Sequence, residues 1–144
     1  MMWVRILLPV QNLKYKIMLL LEDLKDLNEV EVKNHLMNEY EATKEQLEDL
    51  EILIGYESVG SWGCDSSSFF LLKDKEGKMY EVHGSHCSCY GFEGQFTLEE
   101  TTLEALKFRI NESKYGSVFY TGGYDDNSDD NMNAVKDYIQ KHIK

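Results

Sequence analysis

The feature that most constrains the fold of this chain is a pair of strand-like segments joined by a short loop. Residues 67–73 and 78–83 are rich in the aromatic and aliphatic side chains typical of strands, and Asp74-Lys75-Glu76-Gly77 lies between them. Gly77 can adopt the positive φ that a tight turn between antiparallel strands requires. These residues therefore predict a β-hairpin.

Further elements are predicted on both sides of the hairpin. Leu50, Ile52, Ile54 and Tyr56 occur at every second position, which is the period of a strand. The spacing of apolar residues and two capping boxes predict five helices. Three of them cover residues 16–27, 30–40 and 43–49. The fourth follows the capping box Thr97-Leu98-Glu99-Glu100 and has Leu103, Leu106 and Ile110 on one face, and the terminal helix contains Met132, Val135, Tyr138, Ile139 and Ile143 at helical spacing.

The remaining segments are predicted as connections, and they complete the fold class. Residues 58–65 and 84–96 are expected to form turns and loops, and residues 117–121 could add a strand. The predicted fold is a single α+β domain over residues 1–144. It has a small antiparallel sheet of about three to four strands, packed with N-terminal, middle and C-terminal helices.

The N-terminal residues allow more than one interpretation. The apolar run of residues 1–21 is interrupted by Pro9 and Lys14 and lacks the small-residue cleavage site of a signal peptide. The string from Trp3 to Leu7 also matches one reading frame of the T-arm sequence common to tRNA genes. We therefore hypothesise that residues 1–15 are a non-native extension and that the native start lies near Met18. The alternative is a genuine N-terminal strand.

The charge of the chain restricts the class of partner. The 144 residues include 15 Lys and Arg against 26 Asp and Glu, which gives a formal net charge of −11. An acidic chain lacks the cationic surface that nonspecific nucleic-acid binding or docking on an anionic membrane requires. No stretch reaches the roughly 18 apolar residues of a membrane-spanning helix. The charge leaves a protein or a cation as the partner, and we expect a protein partner and no membrane association.

One loop concentrates side chains that can ligate a metal. His83, His86, Cys87 and Cys89 lie within seven residues, and Cys64 is a distant fifth candidate. Thiolate and imidazole are ligands that zinc prefers, but the two cysteines are separated by one residue where zinc knuckles use two. Three alternatives stay open: a structural turn, a zinc site, and a cysteine nucleophile activated by a histidine. An odd number of cysteines also favours a reducing, cytoplasmic location.

Two other groups of residues were candidates for binding. The run 125–131 begins like a calcium loop, but Asp130 and Lys136 stand where that loop needs glycine and glutamate, so a solvated turn that caps the terminal helix is favoured. Aromatic residues around the His-Cys loop are expected to be mostly core. An exposed subset could form a partner-binding patch, and its candidate residues are Trp62, Tyr90, Phe92 and Glu93.

The segment from Lys78 to Leu106 has a distinctive order of motifs. A Tyr-Glu-Val strand at 80–82 leads into His-Gly-Ser-His-Cys-Ser-Cys-Tyr-Gly at 83–91, then Glu-Gly-Gln at 93–95 and Glu-Glu-Thr-Thr at 99–102. This segment, about a third of the chain, resembles a family of small proteins encoded by bacteriophages and mobile elements. The resemblance implies such an origin and implies no activity.

Two functions from different classes follow as hypotheses. The first is a noncatalytic acidic phage-type accessory protein that binds and modulates a host protein, for host takeover or anti-defence, with charge steering it to basic surfaces. The second is a small zinc-binding or cysteine-dependent enzyme centred on the His-Cys loop. The acidic residues that could form the binding face of the first are Glu22, Asp23, Asp26, Glu29, Glu31, Glu45, Glu48 and Asp49.

Overall fold

The computed structural model describes residues 17–59, 66–87, 90–112 and 128–143. Within these ranges the chain forms a five-stranded sheet with helices on both faces. The strands are β1 (Leu19–Glu22), β2 (Glu51–Val59), β3 (Ser66–Lys73), β4 (Met79–His86) and β5 (Glu99–Thr101). The helices are α1 (Glu29–Tyr40), α2 (Lys44–Glu48), α3 (Leu103–Glu112) and α4 (Ser128–His142).

The strands lie in the sheet in the order in which they occur along the chain. β1 runs parallel to β2, and every later pair is antiparallel. Parallel neighbours need a crossover connection, which α1 and α2 supply between β1 and β2. The predicted hairpin is confirmed as β3 and β4, and its loop contains Gly77 at a φ of +88°. The α+β fold class is therefore confirmed.

Local capping signals fix the two crossover helices. Asn28 accepts a hydrogen bond from the backbone N–H of Glu31, and the Glu31 carboxylate accepts one from the Asn28 backbone, which begins α1 with a capping box. Thr43 and Gln46 form the same reciprocal pair at the start of α2. Glu41, at a φ of +61°, ends α1. Both helices were predicted and are confirmed.

The sheet separates two apolar layers, which we call the α1 face and the α4 face. On the α1 face, helices α1 and α2 and the segment after β4 cover the sheet, with the buried residues Val32, Leu36, Tyr40, Leu47, Ile52, Phe70, Leu72, Val82, Phe92 and Phe96. On the α4 face, helices α3 and α4 cover it, with Ile54, Tyr56, Phe69, Leu71, Leu106, Ile110, Val135, Tyr138 and Ile139.

The helix predicted over residues 16–27 is wrong. Leu19–Glu22 form β1, and a turn over residues 23–26 follows. Leu20 packs against Gly55 on the α1 face, whereas Leu19 and Leu21 pack on the α4 face. A parallel strand covered on both faces is apolar at successive positions, so its sequence does not alternate and can imitate helical spacing.

Two further corrections concern the segment after the hairpin. β4 continues through His86, so the loop predicted from Gly84 begins three residues later. The capping box predicted at Thr97 is wrong, because Glu99–Thr101 form β5, which pairs with β4. α3 begins instead behind Thr102, whose Oγ1 accepts a hydrogen bond from the backbone N–H of Ala105.

The predicted sheet was too small and wholly antiparallel. β1 and β5 raise the number of strands in the described chain to five, and β1 makes the sheet mixed. The terminal helix is confirmed and begins at Ser128, inside the acidic run. The predictions for residues 1–15 and 117–121 fall outside the described residues.

Candidate functional site

A buried carboxylate on the α1 face is the centre of the first polar cluster. Glu57 of β2 is only 7% exposed. Its Oε2 accepts a hydrogen bond of 2.6 Å from the Tyr40 hydroxyl and one of 2.8 Å from the His35 Nε2. An ionised carboxylate only accepts hydrogen bonds, so the proton of the second bond belongs to His35. Two residues of α1 thus hold one oxygen of a residue in the sheet.

The strand register places small side chains beside Glu57 and leaves room for an aromatic stack. Glu57 pairs across the sheet with Ser68, which pairs with Gly84. A Cβ atom at Gly84 would lie 2.5 Å from the Ser68 Oγ and 2.9 Å from the Phe92 Cδ1. Phe92 therefore rests directly on the glycine backbone, and the Tyr40 ring stacks on Phe92 with 4.6 Å between ring centres.

The charges around this cluster favour a protonated histidine and a neutral tyrosine. The hydrogen bond from His35 to Glu57 raises the pKa of His35, and burial opposes this effect; the negative charges of Glu57, Glu39 and Asp23 add to the increase. Burial, together with the charge of Glu57, raises the pKa of Tyr40 far above its ordinary value. Tyr40 is therefore a permanent hydrogen-bond donor, and it holds the carboxylate in place.

A second buried carboxylate lies on the α4 face. Glu81 of β4 is 3% exposed; its Oε1 lies 3.0 Å from the His83 Nε2, and Arg109 of α3 donates to its Oε2. Burial alone would raise the pKa of Glu81. Hydrogen bonds from His83, Arg109 and Thr101 outweigh that effect and lower the pKa to about 2. This carboxylate is charged at neutral pH, and its hydrogen bond with Arg109 links α3 to the sheet.

The structure does not bring His83 and His86 together. The His83 ring packs against Phe69 on the α4 face, with 5.2 Å between ring centres. The His86 ring packs edge-on against Phe92 on the α1 face, at 4.4 Å. Residues an odd number of positions apart on a strand point to opposite faces. The predicted metal set is therefore divided between two faces of the sheet.

Of the cysteine candidates, the structure describes Cys87, which directly follows β4. Cys87 is exposed, whereas Cys64 and Cys89 fall outside the described residues. Among the residues that the structure describes, no three His, Cys, Asp or Glu side chains are grouped so that they could hold a metal ion. The involvement of Cys64 or Cys89 in a zinc site stays a prediction.

His86 is oriented by its neighbour's backbone. Its Nδ1 lies 2.8 Å from the carbonyl oxygen of Cys87. A carbonyl only accepts hydrogen bonds, so Nδ1 carries the proton, and the neutral ring keeps its lone pair on Nε2. A histidine fixed in this way can ligate a metal or accept a proton through Nε2.

The side chain of Gln95 forms hydrogen bonds with the backbone near the end of β4. The Gln95 Oε1 accepts a hydrogen bond from the Ser85 N–H, and the Gln95 Nε2 donates to the Ser85 carbonyl, each at 2.8 Å. The same Nε2 also donates to the Gly91 carbonyl at 3.2 Å. The glutamine thus links the end of β4 to Gly91, which gives the Glu-Gly-Gln motif a structural role.

The residues predicted to bind a partner have different environments. Tyr90 is 78% exposed, and Glu93 is also exposed. Phe92 is buried in the core between Tyr40 and His86. Trp62 falls outside the described residues. Of the four, Tyr90 and Glu93 therefore offer a surface on the described part of the chain.

Sequence analysis did not predict that Glu57 and Glu81 are buried, nor which distant residues pair with them. Each stands on an apolar strand, and a charged residue that continues the buried face of a strand is a signal that could have found it. Glu57 follows Gly55 on the α1 face, and Glu81 lies between Tyr80 and Val82. A buried carboxylate requires a partner, but the sequence does not show which distant residue supplies it.

The largest concentration of charge lies in residues 22–51, which we call the acidic segment. It holds eleven Asp and Glu side chains but only three Lys, and it covers α1, α2 and the turns beside them. The exposed members are Asp23, Asp26, Glu31, Glu39, Glu41, Glu45, Glu48 and Asp49. Val30 adds an apolar surface among them, since it is 68% exposed.

Comparison with known proteins adds no relative. No family model, curated protein or solved structure matches this chain. None of the helices in the described residues is long and apolar enough to cross a membrane.

Proposed function

We propose that this chain is a noncatalytic acidic accessory protein of the bacteriophage type that binds and modulates a host protein through the acidic segment. The observation that carries the proposal is the excess of exposed carboxylates on α1 and α2, with Val30 among them. Such a surface attracts a basic protein over a distance of about 10 Å at moderate salt, and the apolar side chain adds contact area.

The internal polar clusters support a binding role over a catalytic one. Glu57 and Glu81 are each enclosed by their hydrogen-bond donors, and both link a helix to the sheet. The exposed acids of α1 and α2, by contrast, are available to a partner. A basic surface, such as the nucleic-acid channel of a host enzyme, has the complementary charge.

A pair of variants with equal net charge tests the proposal. Glu39 and Glu48 lie in the last turns of α1 and α2, where the helix dipole favours a cation, so Glu39→Lys/Glu48→Lys is compatible with the fold. The control Glu76→Lys/Glu99→Lys makes the same charge change at exposed positions away from the acidic segment. Each immobilised protein is incubated with bacterial lysate, and the retained proteins are identified and then tested again as purified proteins.

We expect a basic protein to bind the wild type and the control but to be lost from Glu39→Lys/Glu48→Lys, with affinity that falls as salt increases. Equal binding to both variants would show that the acidic segment is not the interface. Loss from both would show that net charge alone governs the retention, which also contradicts the proposal.

The orientation of His86 favours a second candidate, a zinc-binding or cysteine-dependent protein. The Nε2 of His86 and the thiol of the adjacent Cys87 are both on the described part of the loop. Native mass spectrometry of protein purified without chelator tests this function. A stoichiometric zinc mass that is lost on Cys87→Ser and His86→Gln, but kept on His83→Gln, supports it, because His83 lies on the other face. A metal-free mass rejects a resident zinc.

A further inference from the structure

His35 lies where the buried cluster around Glu57 meets the acidic segment. Its Nε2 is 2.8 Å from the Glu57 Oε2, and its side chain is 27% exposed, so the ring contacts both the sheet and the solvent. The charged and titratable groups that face it are Glu57 of β2, Tyr40 and Glu39 of α1, and Asp23 of the turn after β1. Two of these carboxylates, Asp23 and Glu39, are exposed members of the acidic segment.

The hydrogen bond between His35 and Glu57 is compatible with both charge states of the histidine. An ionised carboxylate only accepts hydrogen bonds, so the neutral ring retains its proton on Nε2, and the proton that titrates is the one on Nδ1. Tyr40 donates to the same carboxylate oxygen as a neutral group. Loss of the proton from His35 therefore changes the charge of α1 and leaves its contacts with the sheet in place.

The charge of His35 matters because of the charges that surround it. The acidic segment holds eleven Asp and Glu, three Lys and one histidine, so its net charge is −8 when His35 is neutral and −7 when His35 is protonated. The hydrogen bond with Glu57 raises the pKa of His35 above 6.5, and the charges of Glu57, Glu39 and Asp23 add to the increase, although burial opposes it. The change of charge therefore occurs in a pH range where the carboxylates stay ionised.

We propose that His35 is a charge switch that makes the binding of a basic partner depend on pH, which presupposes the acidic interface of the proposed function. The positive charge of protonated His35 offsets the negative charges of Asp23 and Glu39 and repels the cations of the partner. A neutral His35 leaves those carboxylates to attract the partner, so binding is tighter at mildly alkaline than at mildly acidic pH. By linkage, a basic partner that binds there favours release of the proton from His35.

Binding of N-acetylated, C-amidated octalysine tests the proposal, because this peptide stays positively charged between pH 6 and pH 8.5. At low salt we expect the wild type to bind it about threefold more tightly at pH 8.5 than at pH 6, the effect of one partly screened charge. His35→Gln keeps a donor for Glu57 but cannot be protonated, so we expect it to bind at both pH values as tightly as the wild type does at pH 8.5. His142→Gln, at the exposed end of α4, is the matched control and is expected to keep the pH dependence.

An NMR titration of the His35 ring with and without octalysine measures the reciprocal effect. We expect the peptide to increase the proton dissociation constant of His35 by the same factor of about three. Equal pH dependence of the wild type and His35→Gln, or tighter binding at pH 6, would overturn the switch alone. The Glu39→Lys/Glu48→Lys variant is expected to lose the peptide. If that variant binds as tightly as the wild type, or if the wild type binds no octalysine at either pH, the acidic interface of the proposed function is contradicted together with the switch.

Discussion

The two buried glutamates of this protein, Glu81 and Glu57, are stabilised by different kinds of partner. Glu81 is paired with Arg109, a cation at every accessible pH, and with His83. Glu57 is paired with Tyr40, a neutral donor, and with His35, whose charge depends on pH. The carboxylate on the α4 face is therefore balanced by a fixed charge, whereas the one on the α1 face is balanced by a charge that depends on pH. The α1 face is also the side that carries the exposed acids.

The largest effect is expected from removing the fixed charge. Arg109→Met leaves Glu81 buried with only His83 and Thr101 as partners, and we expect a loss of about 3 kcal/mol in the free energy of unfolding at pH 7. Urea denaturation measures it. Lys107→Met, which removes one charge from the same helix, is expected to have little effect. If the two variants lose equal stability, Arg109 is not the essential partner of Glu81.

The double variant Glu81→Leu/Arg109→Met tests whether the stability lost by Arg109→Met comes from the unpaired charge of Glu81. It replaces both charges by apolar groups, so no buried carboxylate is left unpaired. We expect it to recover most of the stability lost by Arg109→Met alone, because replacing both members of a buried pair is often close to neutral. Failure to recover would show that Arg109 acts mainly through its packing.

The pH dependence of Glu81 is the next largest effect. Its pKa is about 2 in the folded protein and 4.5 in the unfolded chain, so its ionisation contributes stability above pH 4.5 that is lost as the pH falls towards 2. We expect the stability gap between wild type and Glu81→Gln to narrow by about 2 kcal/mol between pH 5 and pH 2.5. Denaturation curves at both pH values measure this, and Glu76→Gln, at an exposed loop position, should show no comparable narrowing.

On the α1 face, the Tyr40 hydroxyl is expected to contribute less to the free energy of unfolding than Arg109 does on the α4 face. Tyr40→Phe keeps the ring that stacks on Phe92 and removes only the hydroxyl that donates to Glu57. We expect a loss of about 1.5 kcal/mol in the free energy of unfolding, the usual contribution of a hydrogen bond to a charged group. Tyr80→Phe removes a hydroxyl that binds the less buried Asp74 and is the matched control. An unchanged stability for Tyr40→Phe would mean that His35 alone satisfies Glu57.

The smallest effect expected is the titration of His35. Its pKa is raised in the folded protein, so its charge contributes stability that is full below about pH 6.5 and is lost as the pH rises through the folded value. We expect His35→Gln to cost about 1 kcal/mol more at pH 5.5 than at pH 8.5. The wild type and His35→Gln differ at this one side chain, so the difference isolates His35. A larger cost at the higher pH would reverse the assigned sign.

The parts of the fold that could be predicted are those whose signals are local. The hairpin loop around Gly77 and the capping box at Thr43 are short segments whose residues interact with each other, so the sequence contains the whole signal. β1 could not be recognised because its partner, β2, begins almost thirty residues later and because Leu19, Leu20 and Leu21 pack on both faces. Its conformation is set by the sheet and overrides the helical spacing of its leucines.

The candidate sites show the same limit more strongly. His83 and His86 are three positions apart, so they must point to opposite faces if both lie on one strand. The sequence analysis did not draw this conclusion, because it predicted a loop from Gly84 onwards, whereas β4 continues through His86. The pairs that enclose the glutamates join residues 22 and 28 positions apart, His35 with Glu57 and Glu81 with Arg109. Such pairs depend on how the helices dock on the sheet, which periodicity and spacing do not encode.

The Gln95 contact with Ser85 has a consequence for association between copies of the protein. β5 is only three residues long and covers β4 no further than Glu81, so the outer edge of β4 beyond it would present backbone groups to solvent. An open strand edge is a template on which another chain can add a strand. The amide of Gln95 occupies the N–H and the carbonyl of Ser85 as a neighbouring strand would. A single side chain therefore takes the place of a neighbouring strand at Ser85 and occupies backbone groups to which another copy of the chain would otherwise bind.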